Sequence, residues 1–124
     1  MAWKVRVTGS PAMVELTYSG HVPPEELYSA LVASVAAARE EGTKRFLADC
    51  TLLEGGHSTM DLYGLISLYD RVGVPADLRE AIVLPSVANA SKTIRFYEET
   101  CRSRGFTVRV FEDRDGAEQW LARG

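Results

Sequence analysis

The sequence is poor in the residues that build metal centres and disulfides. It contains two cysteines and two histidines in 124 residues, and none of them stands at the HxH, HxxxH or CxxC spacing of a metal or redox motif. Cys50 and Cys101 each fall within an apolar pattern, so we expect two free, buried thiols, as is typical of the reducing cytoplasm. The sequence therefore predicts no metal, no cofactor and no disulfide.

Long apolar runs and an excess of basic charge are also absent. No stretch approaches the ~20 apolar residues of a membrane span, and residues 1–7 lack the apolar core of a signal peptide. Seventeen acidic residues against fourteen basic ones give a net charge of −3, whereas nucleic-acid binding requires a basic surface. We therefore expect a cytoplasmic protein with no membrane span and no affinity for nucleic acid.

Apolar residues are plentiful, at 46% of the chain, which is enough for a packed core. The length suits one domain, and the sequence shows neither an internal repeat nor a linker. We therefore expect a single domain over residues 1–124.

The hydrophobic pattern predicts strands that alternate with helices. Five segments have the pattern of strands, the first two of them a hairpin and the third and fourth buried on both faces: 3–8, 14–19, 46–48, 81–84 and 107–111. Apolar residues at helical spacing predict about four helices, namely one opened by residues 23–26 and ended by Gly42, a stripe over 62–69, a stripe over 87–101 and a final helix around 117–121. The predicted fold is α/β, of the order ββαβαβαβα, with a mixed five-stranded sheet.

Two segments resemble a known family. The first segment lies near the carboxyl end of the sequence and comprises residues 108–113 and 117–121. The second comprises residues 49–59, which join a strand to a helix through a glycine-containing loop. These segments and the order of elements resemble the STAS domains, the family of the anti-sigma-factor antagonists, and within it the SpoIIAA-like (STAS/SEC14-like) branch. The resemblance implies a SpoIIAA-like fold and a bacterial regulatory domain that binds a protein partner.

The antagonists of that family carry Asp-Ser-Ser-Gly at the start of the helix, and the same spacing lands here on residues 57–60. Ser58 falls on the serine of regulatory phosphorylation, which the resemblance therefore implies as a modification site. His57 replaces the aspartate, Thr59 the second serine and Met60 the glycine.

Even when no family resemblance is considered, the loop Gly55–Thr59 is the most informative segment of the sequence. It leaves the carboxyl end of a central strand, the edge at which ligands gather in open α/β sheets, and enters a helix whose amino terminus favours an anion. Ser58 stands three residues before Asp61, the spacing of a capping box, so its hydroxyl either caps the helix or is modified. Ser86 and Asn89 follow the next strand, and we expect their loop to face this one. The candidate surface comprises Gly55, Gly56, His57, Ser58, Thr59, Met60, Tyr63, Ser86 and Asn89.

Three functions stay open at this point. The first is a non-catalytic regulatory or protein-interaction domain, for which Met60, Tyr63 and Leu68 would supply apolar surface if they are exposed. The second is a module for a small apolar, lipid-like ligand, since the branch also resembles lipid-carrying SEC14 domains. The third is a serine hydrolase on Ser58, although residues 56–60 lack the last glycine of the G-x-S-x-G elbow. A set of Asp49, Glu54 and His57 is an alternative metal or acid–base site, and the edge hairpin leaves a homodimer open.

Overall fold

Five strands form one sheet in the computed structural model, which describes residues 2–123. The strands are β1 (Trp3–Thr8), β2 (Met13–His21), β3 (Arg45–Gly55), β4 (Arg79–Val83) and β5 (Thr107–Phe111). They lie in the order β1-β2-β3-β4-β5, with β1 antiparallel to β2 and the other neighbours parallel. The predicted mixed five-stranded sheet is confirmed.

The part of the chain within residues 2–123 forms five helices where the sequence predicted about four. They are α1 (Pro24–Glu41), α2 (Thr59–Ile66), α3 (Tyr69–Val72), α4 (Ala88–Ser103) and α5 (Arg114–Arg123). The predicted helical stripe over residues 62–69 is divided between α2 and the single turn α3. The Ser67 hydroxyl donates to the Gly64 carbonyl at 2.6 Å, and a side chain that competes for helix carbonyls in this way favours a break.

The helices cover the two faces of the sheet unequally. Helices α1 to α4 pack on one face, and α5 lies on the other, against Leu47, Ala81 and Val83. Because side chains alternate along a strand, Glu80 and Ile82 of β4 point to the four-helix side. The larger part of the core lies between the sheet and those four helices.

Strand β3 is longer than β4, its neighbour on the side away from β2. It pairs with β4 only as far as Asp49, opposite Val83, but continues beside β2 to Gly55. The six further residues from Asp49 to Gly55 carry the end of β3 roughly 20 Å beyond the end of β4. The loop after β3 therefore begins far along the edge of the sheet, next to the start of α1.

A buried carboxylate ties α5 to the sheet. Glu15 of β2 is only 3% exposed, and both of its oxygens accept hydrogen bonds from Arg114, at 2.7 and 2.9 Å. Arg6 approaches the same carboxylate at 3.2 Å from the solvent side. The hydrogen bonds from Arg114 hold the pKa of Glu15 below its usual value of 4.5.

Both cysteines are free and buried, as predicted. Neither forms a disulfide, and their thiols contribute to the core between the sheet and the helices. Among the helices of residues 2–123, none has the length and apolar character that crossing a bilayer requires.

We predict that Arg114→Met lowers the free energy of unfolding by about 2–3 kcal/mol at neutral pH, because it leaves the buried Glu15 carboxylate poorly paired. Arg6→Met is the matched control, and we expect a loss below about 1 kcal/mol because that guanidinium is largely exposed. The measurement is chemical denaturation. Because the Glu15 pKa is lowered in the folded state, the stability that Arg114 supplies is present above the unfolded pKa of 4.5 and is lost as the pH falls through the folded pKa. A deficit that persisted in acid would contradict the assignment.

Candidate functional site

The loop between β3 and α2 is fastened to the segment that leads from β2 into α1. The Val22 amide donates to the Gly55 carbonyl at 2.8 Å. This bond continues the pairing of β2 with β3 by one residue past the end of β2. Gly56 follows with φ +104°, and a Cβ on this residue would lie 2.5 Å from the Val22 nitrogen. Only glycine has both the left-handed conformation and the space that this approach requires.

His57 makes the third contact with the same residue. Its Nδ1 lies 2.9 Å from the Val22 carbonyl oxygen. A carbonyl can only accept, so Nδ1 carries the hydrogen in this bond. The imidazole is thereby held at the wall of the interior and is not hydrogen-bonded to Ser58.

Ser58 caps helix α2. Its Oγ accepts from the Asp61 amide at 3.1 Å, and its own amide donates to the Asp61 carboxylate at 2.8 Å. Both halves of the capping box predicted from the sequence are therefore present. The hydroxyl is engaged in a structural role, yet the residue is exposed to solvent.

The alternative set of Asp49, Glu54 and His57 is not assembled into a site. Asp49 accepts from the Thr51 amide at 3.0 Å and lies 3.6 Å from Arg114, which places its carboxylate toward α5. Within residues 2–123, no group of three or more His, Cys, Asp or Glu side chains lies close enough to share a metal ion.

Large apolar side chains are exposed beside the loop. Met60 is 74% exposed and Tyr63 is 46% exposed, and the spacing of three residues puts both on one face of α2. Leu52, near the end of β3, is 65% exposed, and the sequence analysis did not select it. Val87, which the sequence placed on a buried stripe, is instead exposed because it precedes the first turn of α4.

The segment that follows β4 leaves the same edge of the sheet, with Ser86 in the loop. Asn89, which the sequence placed in that loop, lies instead in the first turn of α4. Both residues are exposed, and neither caps α4, whose N-cap position is Val87, without a side-chain bond. Since β3 runs on well past the end of β4, this loop is offset along the sheet from Gly55–Thr59.

An apolar cavity of about 70 Å³ lies between the sheet and the four helices on its larger side. Strands β2, β3 and β4 form its floor, and α1, α2, α3 and α4 contribute the remaining walls. His57 lines it, so the candidate loop closes part of this cavity. A few polar groups interrupt the apolar lining: Tyr18, Ser34, Tyr69, Glu80 and Tyr97.

Three of these groups form a hydrogen-bonded chain. The Tyr97 hydroxyl donates to Oε1 of Glu80 at 2.8 Å, and the Tyr69 and Tyr97 hydroxyls are in direct contact. Burial raises the pKa of Glu80 to about 7, and the bond from Tyr97 offsets part of that rise. Burial also raises the pKa values of both tyrosines, so both stay protonated as donors.

Sequence reasoning missed Glu80, although a signal was present. Glu80 stands two residues before Ile82 in a central strand, and period-two alternation places both on the same face. A carboxylate on the inward face of a buried strand is uncommon unless it is paired or functional. Tyr69 and Tyr97 were predicted to be buried on helical stripes, but their contact with Glu80 depends on how three separate elements pack.

We predict that Gly56→Ala destabilises the protein by about 2 kcal/mol or more, because the new Cβ meets the Val22 backbone in a conformation that alanine disfavours. Gly64→Ala is the control. Nothing lies within 4 Å of a Cβ at that helical position, so we expect a gain of about 0.5–1 kcal/mol. Urea denaturation of both variants checks this, and equal effects would contradict the close approach.

We predict that Glu80→Gln stabilises the protein at pH 8 by up to about 3 kcal/mol and changes little near pH 4.5. The folded pKa of Glu80, about 7, lies above its usual 4.5. The stability that its neutral form supplies is therefore complete below pH 4.5 and is lost as the pH rises through 7. Unfolding measured from pH 4.5 to 8 tests this, with the exposed Glu112→Gln as control, and a difference that did not vary with pH would contradict it.

Comparison with known proteins gives matches in structure but not in sequence. No protein-family model matches the chain, and no curated protein matches it. One similar structure is an uncharacterized protein of the DUF3478 family with a SpoIIAA-like fold from Shewanella loihica PV-4. It is 18% identical with a TM-score of 0.65, over 97% of this chain and 94% of that one.

A second similar structure is the anti-sigma factor antagonist SpoIIAA in its unphosphorylated form. It is 14% identical with a TM-score of 0.60, over 99% of each chain. Both alignments extend over nearly the whole length, so the likeness includes the hairpin, the parallel strands and the helices on both faces. The chain has the SpoIIAA-like α/β fold that the resemblance in sequence implied.

Proposed function

We propose that this chain is a non-catalytic regulatory domain that binds a protein partner. The observation that carries the proposal is the exposure of Met60 and Tyr63 immediately after the exposed Ser58 cap. We name this the docking surface and define it as the loop Gly55–Thr59 with Met60 and Tyr63. Ser86 in the offset neighbouring loop and Asn89 in the first turn of α4 would contact a partner that extends along the same edge.

The docking surface is held in place before any partner arrives. The Gly55 carbonyl, the Gly56 backbone and the His57 ring are all fixed against Val22, and the Ser58–Asp61 pair fixes the first turn of α2. Because ordering of loops is one of the costs of association, a loop that is already ordered binds with less loss of entropy.

Phosphorylation of Ser58 would act directly on this arrangement. A phosphate adds about two negative charges, and the Asp61 carboxylate already lies 2.8 Å from the Ser58 amide. Repulsion between the two groups would open the capping box and put charge beside Met60. One similar structure is that of an anti-sigma factor antagonist in its unphosphorylated form, which supports control by phosphorylation.

The geometry gives less support to a serine hydrolase and to a module for a lipid-like ligand. The Ser58 hydroxyl is engaged by the helix amide and the adjacent imidazole bonds to Val22, so no base is placed to activate the serine. A lipid chain would also exceed the volume of the cavity. Both thiols are free and buried, which supports a role in a reducing cytoplasm.

The test is affinity capture from native cells with four baits: wild type, Met60→Lys, Ser58→Glu and Val32→Glu. Val32 is exposed on α1, so its variant introduces the same charge as Ser58→Glu away from the docking surface. We expect one protein to be recovered equally by wild type and Val32→Glu. Its recovery should fall at least about tenfold with Met60→Lys and with Ser58→Glu, since each places an unpaired charge in the interface.

Binding of that protein should then be measured with purified components. Equal affinity of wild type and Met60→Lys would show that the interface lies elsewhere. If Met60→Lys weakened binding and Ser58→Glu did not, the docking surface would stand and the phosphorylation switch would fall.

A further inference from the structure

The two outer strands of the sheet, β1 and β5, differ in how their free edges are treated. We propose that the outer edge of β1 binds an extended segment of a partner protein in which acidic and apolar residues alternate, and that this segment joins the sheet as an additional strand. We name this site the open edge and define it as the outward backbone groups of β1 with the side chains of Lys4 and Arg6. The inference does not depend on the docking surface.

The pairing of β1 with β2 decides which backbone groups face outward. The Ser19 amide donates to the Ala2 carbonyl at 2.9 Å, and these two residues continue the antiparallel register of the strands. Along an antiparallel pair, residues bonded to the neighbouring strand alternate with residues that are not. The N–H and C=O groups of Trp3, Val5 and Val7 therefore point away from β2, and within residues 2–123 no strand pairs with that side.

The edge of β5 is partly closed. The Phe111 carbonyl accepts from the Leu84 amide, so alternation turns the backbone of the preceding residue, Val110, outward. The Glu98 carboxylate of α4 accepts a hydrogen bond from the Val110 amide at 2.9 Å. A side chain placed over an edge is one way in which proteins prevent the addition of further strands. This bond leaves β1 as the better edge for an added strand.

The charges of β1 select the occupant. Lys4 and Arg6 are the charged residues of the strand, and the Arg6 side chain remains 67% exposed beside Glu15 because Arg114 makes the shorter bonds to that carboxylate. Two copies paired antiparallel along the length of β1 would set Lys4 against Arg6, or Arg6 against Arg6. Like charges directly opposite each other destabilise a strand pair, whereas opposite charges stabilise it. The edge therefore disfavours a second copy and favours a strand with carboxylates.

The other face of β1 selects apolar residues between the acidic ones. Trp3 and Val5 pack toward α1, and alternation puts Val7 on the same face, where it is 38% exposed. An apolar side chain of an added strand would cover Val7. Because successive side chains of a strand point to opposite faces, an occupant that meets both faces alternates acidic and apolar residues. Main-chain bonds supply the affinity in such an addition, and alternate side chains supply the specificity.

The test uses a seven-residue peptide of alternating valine and glutamate with blocked termini, and a control peptide with lysine in place of glutamate. Amide hydrogen exchange is followed by NMR in the full-length, 15N-labelled protein. At about ten times the dissociation constant of the glutamate peptide, we expect the exchange of Val5 and Val7 to slow about tenfold. Lys4 and Arg6 should change little because their amides already face β2, and the lysine peptide should protect neither valine.

Methylated forms of the glutamate peptide test the backbone pairing. One form carries N-methyl groups on its valines and the other on its glutamates, so each form has one edge without hydrogen-bond donors. A peptide that joins the sheet uses only one of its edges. We therefore expect one form to protect Val5 and Val7 and the other to fail.

Charge reversal tests the side chains. Lys4→Glu should weaken the glutamate peptide about fivefold or more and improve binding of the lysine peptide. Lys92→Glu makes the same change at an exposed residue of α4 and should alter neither. The proposal is overturned if the glutamate peptide gives no saturable protection of Val5 and Val7, if the lysine peptide protects them equally, or if both methylated forms do. Protection that rises with protein concentration in the absence of peptide would assign the edge to a second copy and would also overturn it.

Discussion

The hydrogen bond from the Val22 amide to the Gly55 carbonyl fixes both sides of the site. It joins the end of β3 to Val22, two residues before α1, so the long strand can extend past β4 without losing its partner on the other side. The close approach of Gly56 and the bond from His57 follow on the same residue. Because the loop is held there, α2 begins at a defined point, its cap is exposed, and the imidazole closes one side of the interior.

The otherwise apolar core contains a hydrogen-bonded chain of polar side chains. Glu80 is accommodated because Tyr97 donates to it and the Tyr69 hydroxyl contacts that of Tyr97. An apolar residue at that position would fill the space and remove a buried polar group that costs stability. Glu80 and His57 both line the cavity, so the cavity and the docking surface share His57 as a common wall.

Much of the fold was predictable from the sequence because its strands and helices have clear periods. The alternation in residues 3–8 and 14–19 identified the hairpin, and the spacing of Ser58 and Asp61 indicated the helix cap as one of two roles for Ser58, the role that the structure shows. The break after Ile66 was not predictable, since it depends on a serine hydroxyl that finds a carbonyl one turn back. The hydrogen-bonded chain from Tyr69 through Tyr97 to Glu80 was also not predictable, because β4, α3 and α4 meet only in the folded chain.

The pairing of Glu15 with Arg114 has a consequence for how the chain folds while it is being translated. Arg114 lies 99 residues further along the chain, in the last helix, and that helix alone covers Leu47, Ala81 and Val83. Each strand pairs with the next one in sequence, so a growing chain can assemble its sheet step by step as it leaves the ribosome. Throughout that time one side of the sheet stays bare and its carboxylate is attended only by Arg6. The nascent protein therefore exposes this apolar face of the sheet until α5 has emerged.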